Sequence, residues 1–297
     1  MVRLYKIIRF LIKRKFFYFV RNSWPVWFFI LNREGRRKYK KAPPSLGAVE
    51  KRIVADLKTY GIATSSLEEL FPGKNLFPEL LEYAIPLKEE ARVKSKKVFL
   101  KNLFDLRPLL DFSNPYVKFA LNEKVLNIIS SYLKLYPKFR GYTLNVTTPM
   151  ETGSVPIDSQ RWHRDPEDKI VVKMFLYLTD VDRGSGPFTY VKGSHHLGKY
   201  WNLFPTAPPA GSYPPAEEVS KKIEVSDVLV CTGKAGTIIF CETSGLHKGG
   251  FATENERLMS TSIYATKAVM SPMALTILDD LDAKKLKLPA VVEYALS

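Results

Sequence analysis

The chain has 297 residues, of which 45% are hydrophobic, 12% aromatic and 25% charged, which is typical of a folded globular protein and excludes disordered and collagen-like chains. Two cysteines are too few for a disulfide framework or a thiolate zinc site. No apolar run reaches the roughly 20 residues of a membrane-spanning helix, and no secretory signal is recognisable. The sequence therefore predicts a cytoplasmic protein.

The net charge of +15 is concentrated at the N-terminus, where residues 1–41 hold 13 Lys/Arg and one acidic residue. Apolar and basic residues alternate at helical spacing over Leu4–Leu11, which predicts a basic amphipathic helix. Two interpretations stay open. The segment binds the anionic inner face of a membrane, or its aromatic side chains pack on the body of the protein. The membrane anchors would be Phe16, Phe17, Trp24 and Trp27. Nucleic acid is not an expected partner, because no recognised binding module accompanies the charge.

A helical lead-in follows this segment, over about residues 42–138. The pattern predicts a helix that is capped by Ser45 and stops at Gly61, a second helix over Leu76–Tyr83, and a third over Val117–Leu133. We therefore divide the chain into a basic aromatic segment, residues 1–41, and a single domain, residues 42–297.

From about Arg140 the sequence changes to short β-branched and aromatic runs separated by Gly, Pro, Asp and Asn, which predict strands. Helices followed by many short strands predict a mainly β core, a barrel or a double sheet, with an α-helical lead-in. The core is expected over about 139–270, followed by a C-terminal extension, 271–297. Residues 207–215 are predicted to form a surface loop or lid. The predicted strands cover residues 141–149, 170–181, 187–191, 227–231, 236–241 and 257–266.

Four residues form a candidate site. If their segment is extended, His163 and Asp165 project to the same face. His247 follows 84 residues later, directly after a predicted strand. Two imidazoles and one carboxylate are the ligand set of non-haem iron(II) oxygenases, which leaves three coordination positions open. Arg257, ten residues after His247, could bind a dicarboxylate cosubstrate through two charge-assisted hydrogen bonds.

These motifs, in this order, resemble the phytanoyl-CoA dioxygenase family. The resemblance rests on SQRWHRDPED (159–168), VVKMFLYLTDVDRGSGPFTYVKGSHH (171–196) and GTIIFCETSGLHKGG (236–250), followed by Arg257. It implies a double-stranded β-helix and an enzyme that uses iron(II), 2-oxoglutarate and O2. It also implies that His163, Asp165 and His247 are the metal ligands and that Arg257 binds the C5 carboxylate of 2-oxoglutarate. Glu242 stands where the family often has Asp, and residues 1–60 lie outside the resemblance.

Further polar residues are expected around this site. Gln160 and Asn145 are candidates to line it and to contact the cosubstrate. By alternation Lys173 shares one face of its strand with Val171, Phe175 and Tyr177. It therefore either points inward toward 2-oxoglutarate or an anionic substrate, or lies on the exposed face. His195 and His196 are adjacent, and adjacent residues of a strand face opposite ways, so these two are poorly placed to share a metal ion. We interpret Gly193, Ser194 and His195 as a structural turn that enters a short helix.

The expected reaction is oxidation of an unactivated C–H bond of a small organic or acyl metabolite, with hydroxylation as the default and desaturation or ring formation as other outcomes. A zinc hydrolase is disfavoured because no residue near His247 is a candidate general base. A non-catalytic β-helix binding protein and a membrane-surface protein recruited by residues 1–41 are the alternatives from other classes. The oligomeric state is not predicted by the sequence.

Overall fold

The structure, a computed structural model, describes residue 16 and residues 19–90, 100–104, 109–205, 213–269, 276–277 and 287–297. The described strands form two antiparallel sheets and a short parallel pair. Their spatial orders are β1-β8-β5-β10-β4-β2, β7-β6-β9 and β11-β3 once the strands are numbered along the chain. They are β1 (Ile62–Ser66), β2 (Leu100–Asn102), β3 (Leu109–Leu110), β4 (Lys138–Thr147), β5 (Val172–Tyr177), β6 (Phe188–Val191), β7 (Val228–Cys231), β8 (Thr237–Glu242), β9 (His247–Lys248), β10 (Arg257–Ala265) and β11 (Thr276–Ile277).

The two antiparallel sheets enclose an inner apolar cluster. Phe175 and Tyr177 of β5 pack there with Phe188 and Tyr190 of β6. The residues that alternate with them on β5 face the other way, into a larger cluster shared with the helices. This arrangement is a double-stranded β-helix, which confirms the predicted fold class.

The helical lead-in covers the outer face of the six-stranded sheet. Buried side chains of its helices pack in one cluster with outward residues of β4, β5, β8 and β10. The described helices are α1 (Arg33–Lys41), α2 (Ala48–Tyr60), α3 (Leu67–Leu70), α4 (Leu76–Glu90), α5 (Pro115–Ala120), α6 (Glu123–Leu133), α7 (Ala216–Lys222) and α8 (Ala290–Leu296).

The predicted helices differ from the observed ones in several places, and α4 extends to Glu90, beyond the end predicted at Tyr83. Helix α2 stops at Gly61 as predicted, with a left-handed φ of 79°, but Gly47 and not Ser45 is its N-cap. The predicted continuous helix over 117–133 is wrong, because α5 ends before Asn122, whose side chain accepts a hydrogen bond from the amide of Lys124 and begins α6. The turn at residues 193–200 is present, but the short helix expected after it is not.

Residues 19–41 pack against the body. The Trp27 indole is fully buried within the π-helical turn Val26–Leu31, and its Nε1 donates to Oδ1 of Asp168 at 2.8 Å. Half-buried Trp24 stacks on His196 with 4.8 Å between ring centroids. The Arg21 guanidinium donates to the Glu167 carbonyl at 2.7 Å. Neither indole is therefore available as a membrane anchor, and this part of the membrane interpretation is wrong.

Two N-terminal predictions, the helix over Leu4–Leu11 and the anchor Phe17, lie outside the described residues. Most of the predicted lid over 207–215 and of the C-terminal extension lies outside them as well. None of the described helices combines the length and the apolar character that crossing a membrane requires.

Candidate metal centre

Backbone hydrogen bonds between residues 163–165 and the segment 243–247, which ends in strand β9, bring the predicted ligands together. The amide of His163 donates to the carbonyl of His247 at 2.8 Å, and the reverse bond measures 2.9 Å. The amide of Asp165 donates to the Thr243 carbonyl at 2.9 Å. The segment carrying His163 and Asp165 is thus extended, as the H-x-D pattern requires for both side chains to face one point.

The three side chains converge with their ligand atoms within 4.8 Å of one another. Nε2 of His163 and Nε2 of His247 each lie 3.9 Å from Oδ1 of Asp165. Nδ1 of His163 lies 2.8 Å from the Arg161 carbonyl, and Nδ1 of His247 lies 3.0 Å from the Gly245 carbonyl. These carbonyls accept from Nδ1–H, so each Nε2 presents a lone pair to the centre. Two bonds of about 2.0–2.2 Å to one ion span at most about 4.4 Å, so each 3.9 Å separation is compatible with a shared ion.

Burial and charges around the site favour an ionised Asp165 carboxylate and a neutral His247 imidazole. Burial disfavours the ionised form of Asp165, but Lys173 and the two histidines outweigh it and hold the pKa of this carboxyl well below its usual range. Nζ of Lys173 lies 2.6 Å from Oδ2 of Asp165. Burial, followed by repulsion from His163, lowers the pKa of His247 to about 3. Both protonation states are the ones that bind a metal cation.

Arg257 is buried at the start of β10, beside β4. Its Nη2 donates to Oγ1 of Thr147 at 3.1 Å, and its Nη1 donates to the Gly186 carbonyl. Its Nε has no hydrogen-bond partner among the described residues. The guanidinium is thus held in one orientation with donor capacity left over for a ligand.

The structure places the other predicted site residues as follows. Lys173 lies on the inner face of β5 and pairs with Asp165, so the inward alternative of the sequence pattern is the observed one. Asn145 lies on β4, and its Nδ2 donates to Oγ1 of Thr143 at 2.7 Å. Gln160 is 2% exposed, and its Oε1 accepts from the Ile157 amide at 3.0 Å. Their contacts to a cosubstrate stay a prediction.

Two residues that shape the site were not assigned a role from the sequence. Arg164, between the predicted ligands His163 and Asp165, is buried and donates to the carbonyls of Ser194, Tyr200, Leu203, Phe204 and Ser244. Glu242 accepts from the amide of His196 at 2.7 Å, from Ser244 and from the Tyr132 hydroxyl on α6. The signal available for Arg164 was alternation, which points it away from the ligands and into the protein.

Comparisons with known proteins identify a family model that matches the chain and solved structures of similar fold. The family model for phytanoyl-CoA dioxygenase (PhyH) matches residues 101–257, more than half of the chain. The fold is similar to the epimerase SnoN in complex with Fe3+, alpha ketoglutarate and nogalamycin RO, with a TM-score of 0.55 and 16% identity over 74% of this chain and 84% of that one. It is similar to AviO1 from Streptomyces viridochromogenes Tue57, with a TM-score of 0.51 and 16% identity over 77% of this chain and 100% of that one. No curated protein sequence matches the chain.

Proposed function

The chain belongs to the phytanoyl-CoA dioxygenase family, and from this premise we propose that it oxidises an unactivated C–H bond of a small organic or acyl metabolite with release of succinate and CO2. It is a non-haem iron(II)- and 2-oxoglutarate-dependent enzyme by family. The observation that carries the proposal is the convergence of two Nε2 atoms and one carboxylate oxygen within 4.8 Å.

Each residue of the site has a proposed task. His163, Asp165 and His247 hold the iron(II), which activates 2-oxoglutarate and O2 when bound. Lys173 fixes the carboxylate of Asp165 through its ion pair. Arg257 binds the distal carboxylate of 2-oxoglutarate, because a buried guanidinium held by Thr147 and Gly186 is oriented for two-pronged contact.

The test is succinate formation from 2-oxoglutarate by the full chain with iron(II). Asp165→Ala and His247→Ala are expected to abolish it and to weaken Mn(II) binding in a calorimetric titration. His196→Asn is the matched control, since His196 lies outside the metal centre and stacks on Trp24. Equal succinate formation by the parent and by both ligand variants would contradict the assignment.

We further propose that the N-terminal segment binds anionic membrane surfaces through exposed apolar side chains beside its cations. Phe19, Phe29 and Ile30 are 79%, 52% and 66% exposed, and Phe16 is exposed as well. The guanidinium of Arg36 lies 4.4 Å from the Phe29 ring centroid. Each basic residue near an anionic surface contributes about 1 kcal/mol, and inserted aromatic rings add an apolar contribution.

The measurement is co-sedimentation of the full chain with vesicles that contain phosphatidylserine. Replacement of Phe19, Phe29 and Ile30 by Ser is expected to lower binding. The matched control replaces three equally exposed residues elsewhere by Ser: Val155, Leu197 and Val225. Negligible binding by the unaltered chain would remove the membrane proposal and leave the oxygenase proposal intact.

A further inference from the structure

Two adjoining cavities lie beside the metal centre. One, of about 350 Å3, lies between Trp162, Tyr213 and the prolines that follow Tyr213. The other, of about 180 Å3, continues from it, and the two share Gln160, Pro156 and Lys248 as a common wall. The first is within the size range of small-molecule sites. We name the pair the rim cavity.

The rim cavity lies beside His163, although none of the three proposed metal ligands is among the residues that line it. Two lining residues are sequence neighbours of these ligands, since Trp162 precedes His163 and Lys248 follows His247. The ring of Tyr213 lies 5.8 Å from the ring of His163, measured between centroids. A molecule in this cavity would therefore approach the metal centre from the side of His163.

The charge of the rim cavity is positive only. Arg161, Arg183 and Lys248 line it, and no acidic side chain among the described residues does so. Lys248 is half-buried, and none of the ion pairs among the described residues involves it. A half-buried cation without a counter-charge is costly, and a bound anion would offset that cost.

Gln160 adds an unsatisfied donor to the same wall. Its Oε1 accepts from the Ile157 amide at 3.0 Å, which assigns the other side-chain atom as Nε2. This Nε2 is buried and has no hydrogen-bond partner in the described part of the chain. A buried donor left unpaired is unfavourable, so an acceptor oxygen from a ligand would stabilise the site.

Two aromatic side chains also line the rim cavity, each beside one of its cations. Nζ of Lys248 lies 5.1 Å from the Trp162 ring centroid, and the Arg161 guanidinium lies 4.1 Å from that of Tyr213. Each cation thus lies over an aromatic ring, the phenol of Tyr213 or the indole of Trp162. This juxtaposition suits a ligand with an apolar or planar body and one anionic end.

We propose that the rim cavity is the substrate site and that the substrate carries a carboxylate or phosphate bound by Lys248 and Gln160, with its apolar body against Trp162 and Tyr213. The proposal rests on the oxygenase function proposed above and names the class of molecule that the reaction acts on.

Binding of three probes to the full chain tests this proposal. The probes are 4-phenylbutyrate, phenyl phosphate and the neutral 4-phenylbutanol, titrated by calorimetry into protein saturated with Mn(II) and 2-oxoglutarate, so that no probe can occupy the cosubstrate position. At least one anionic probe is expected to bind tenfold or more tightly than the alcohol. The tighter of the two anions then identifies the anionic group as carboxylate or phosphate.

Variants at Lys248 make the test specific. Lys248→Met is expected to reduce the affinity of the anionic probe about tenfold and to leave the alcohol unchanged, while Lys248→Arg is expected to retain the preference for the anion. Lys222→Met is the matched control, because Nζ of Lys222 lies at a similar distance, 5.2 Å, from the Phe204 ring but does not line the rim cavity.

The outcomes separate the two proposals. No preference for the anionic probes, or equal effects of Lys248→Met and Lys222→Met, would overturn the substrate site even if succinate is formed. Absence of succinate formation together with an anion preference that depends on Lys248 would overturn the reaction and leave the binding site standing.

Discussion

The role proposed for Arg257 allows cosubstrate binding to be tested separately from metal binding. We predict that Arg257→Leu weakens 2-oxoglutarate binding and leaves Mn(II) affinity within a few-fold of the parent, because loss of a buried charge contact typically costs about 2–5 kcal/mol. Calorimetric titration with each ligand measures both. Arg140→Leu is the control, since Arg140 is a partly buried arginine that donates to the Thr266 carbonyl at 2.7 Å. Unchanged 2-oxoglutarate affinity in Arg257→Leu would count against the assignment.

Lys173 is predicted to stabilise the metal-free protein more than the metal-bound one. Its Nζ is the nearest cation to Asp165, at 2.6 Å, and removal of one member of a buried ion pair typically costs about 3–5 kcal/mol. A bound metal ion supplies another positive partner for the carboxylate. Lys173→Met should therefore lower the unfolding temperature strongly without Mn(II) and less with it.

The surface pair Lys88–Glu256, at 2.7 Å, provides the comparison for Lys173. Because both of its side chains are well exposed, Lys88→Met should cost less than about 1 kcal/mol with or without metal. An equal loss of stability for Lys173→Met in both metal states would show that its contact with Asp165 is not linked to metal binding.

The direction of a side chain could be predicted from the sequence where the spacing of residues within one extended segment determines it. His163 and Asp165 are two apart in an extended segment, so their common direction follows from the sequence. The two possible faces of Lys173 could not be distinguished, because alternation gives a relative direction only. The choice is made by Phe175 and Tyr177, which pack between the sheets. The unsatisfied Nε2 of Gln160 depends on a turn that begins at Ile157 and was not visible in the pattern.

At the scale of elements, the turn Val26–Leu31 is connected to the loop that carries Asp165. Trp27 Nε1 donates to Oδ1 of Asp168, whose Oδ2 accepts from the amide and hydroxyl of Thr266 at 2.7 Å. We predict that Trp27→Phe costs about 1–3 kcal/mol, since a buried charged acceptor loses a donor. The amides of Thr266 and Lys169 both donate to the Asp168 carboxylate, so their hydrogen exchange should also become faster.

Phe29→Ala is the control for Trp27, because Phe29 lies in the same turn and is half exposed. It should leave both the free energy of unfolding and these exchange rates nearly unchanged. If Trp27→Phe and Phe29→Ala have the same effect, the connection through Asp168 contributes nothing measurable.

Strands with a local sequence signal could be predicted, whereas strands that depend on pairing with another strand could not. The runs of β4, β5, β8 and β10 are rich in β-branched and aromatic residues, and the structure has strands there. Strand β1, with the sequence IATSS, carries no such signal and is held by its pairing with β8, from Ile62 opposite Cys241 to Ser66 opposite Thr237. Strand β9 is only two residues long and depends on its pairing with β6. Both are set by long-range contacts.

At the scale of the whole molecule, the stability of the fold should depend on the protonation of His196. Burial, followed by repulsion from Lys169 and His195, lowers the pKa of this imidazole from 6.5 to about 4. The unfolded chain therefore binds a proton below pH 6.5 that the folded chain does not bind until about pH 4. Stability is lost as the pH falls through this interval, with a slope of at most about 1.4 kcal/mol per pH unit from this residue.

His196→Asn is predicted to flatten this part of the pH profile. Urea unfolding at several pH values between 4 and 7 measures the slope, and the other titrating groups are common to both proteins. Parallel profiles for the parent and His196→Asn would show that the stack on Trp24 does not depend on the charge of the imidazole.

The basic N-terminal segment is predicted to contribute to the stability of the enzyme. Trp27 is fully buried in the main core, and Trp24, Phe28 and Leu31 pack against it. Burial of one large apolar side chain contributes about 1.5–3 kcal/mol, while a whole domain is stable by only about 5–15 kcal/mol. A chain beginning at Pro43 should therefore lose much of its stability, whereas one beginning at Phe19 should lose less. Thermal unfolding compares the two, and equal unfolding temperatures would contradict the prediction. Because deletion to Pro43 is expected to impair folding, membrane binding has to be tested by side-chain replacement in the full chain.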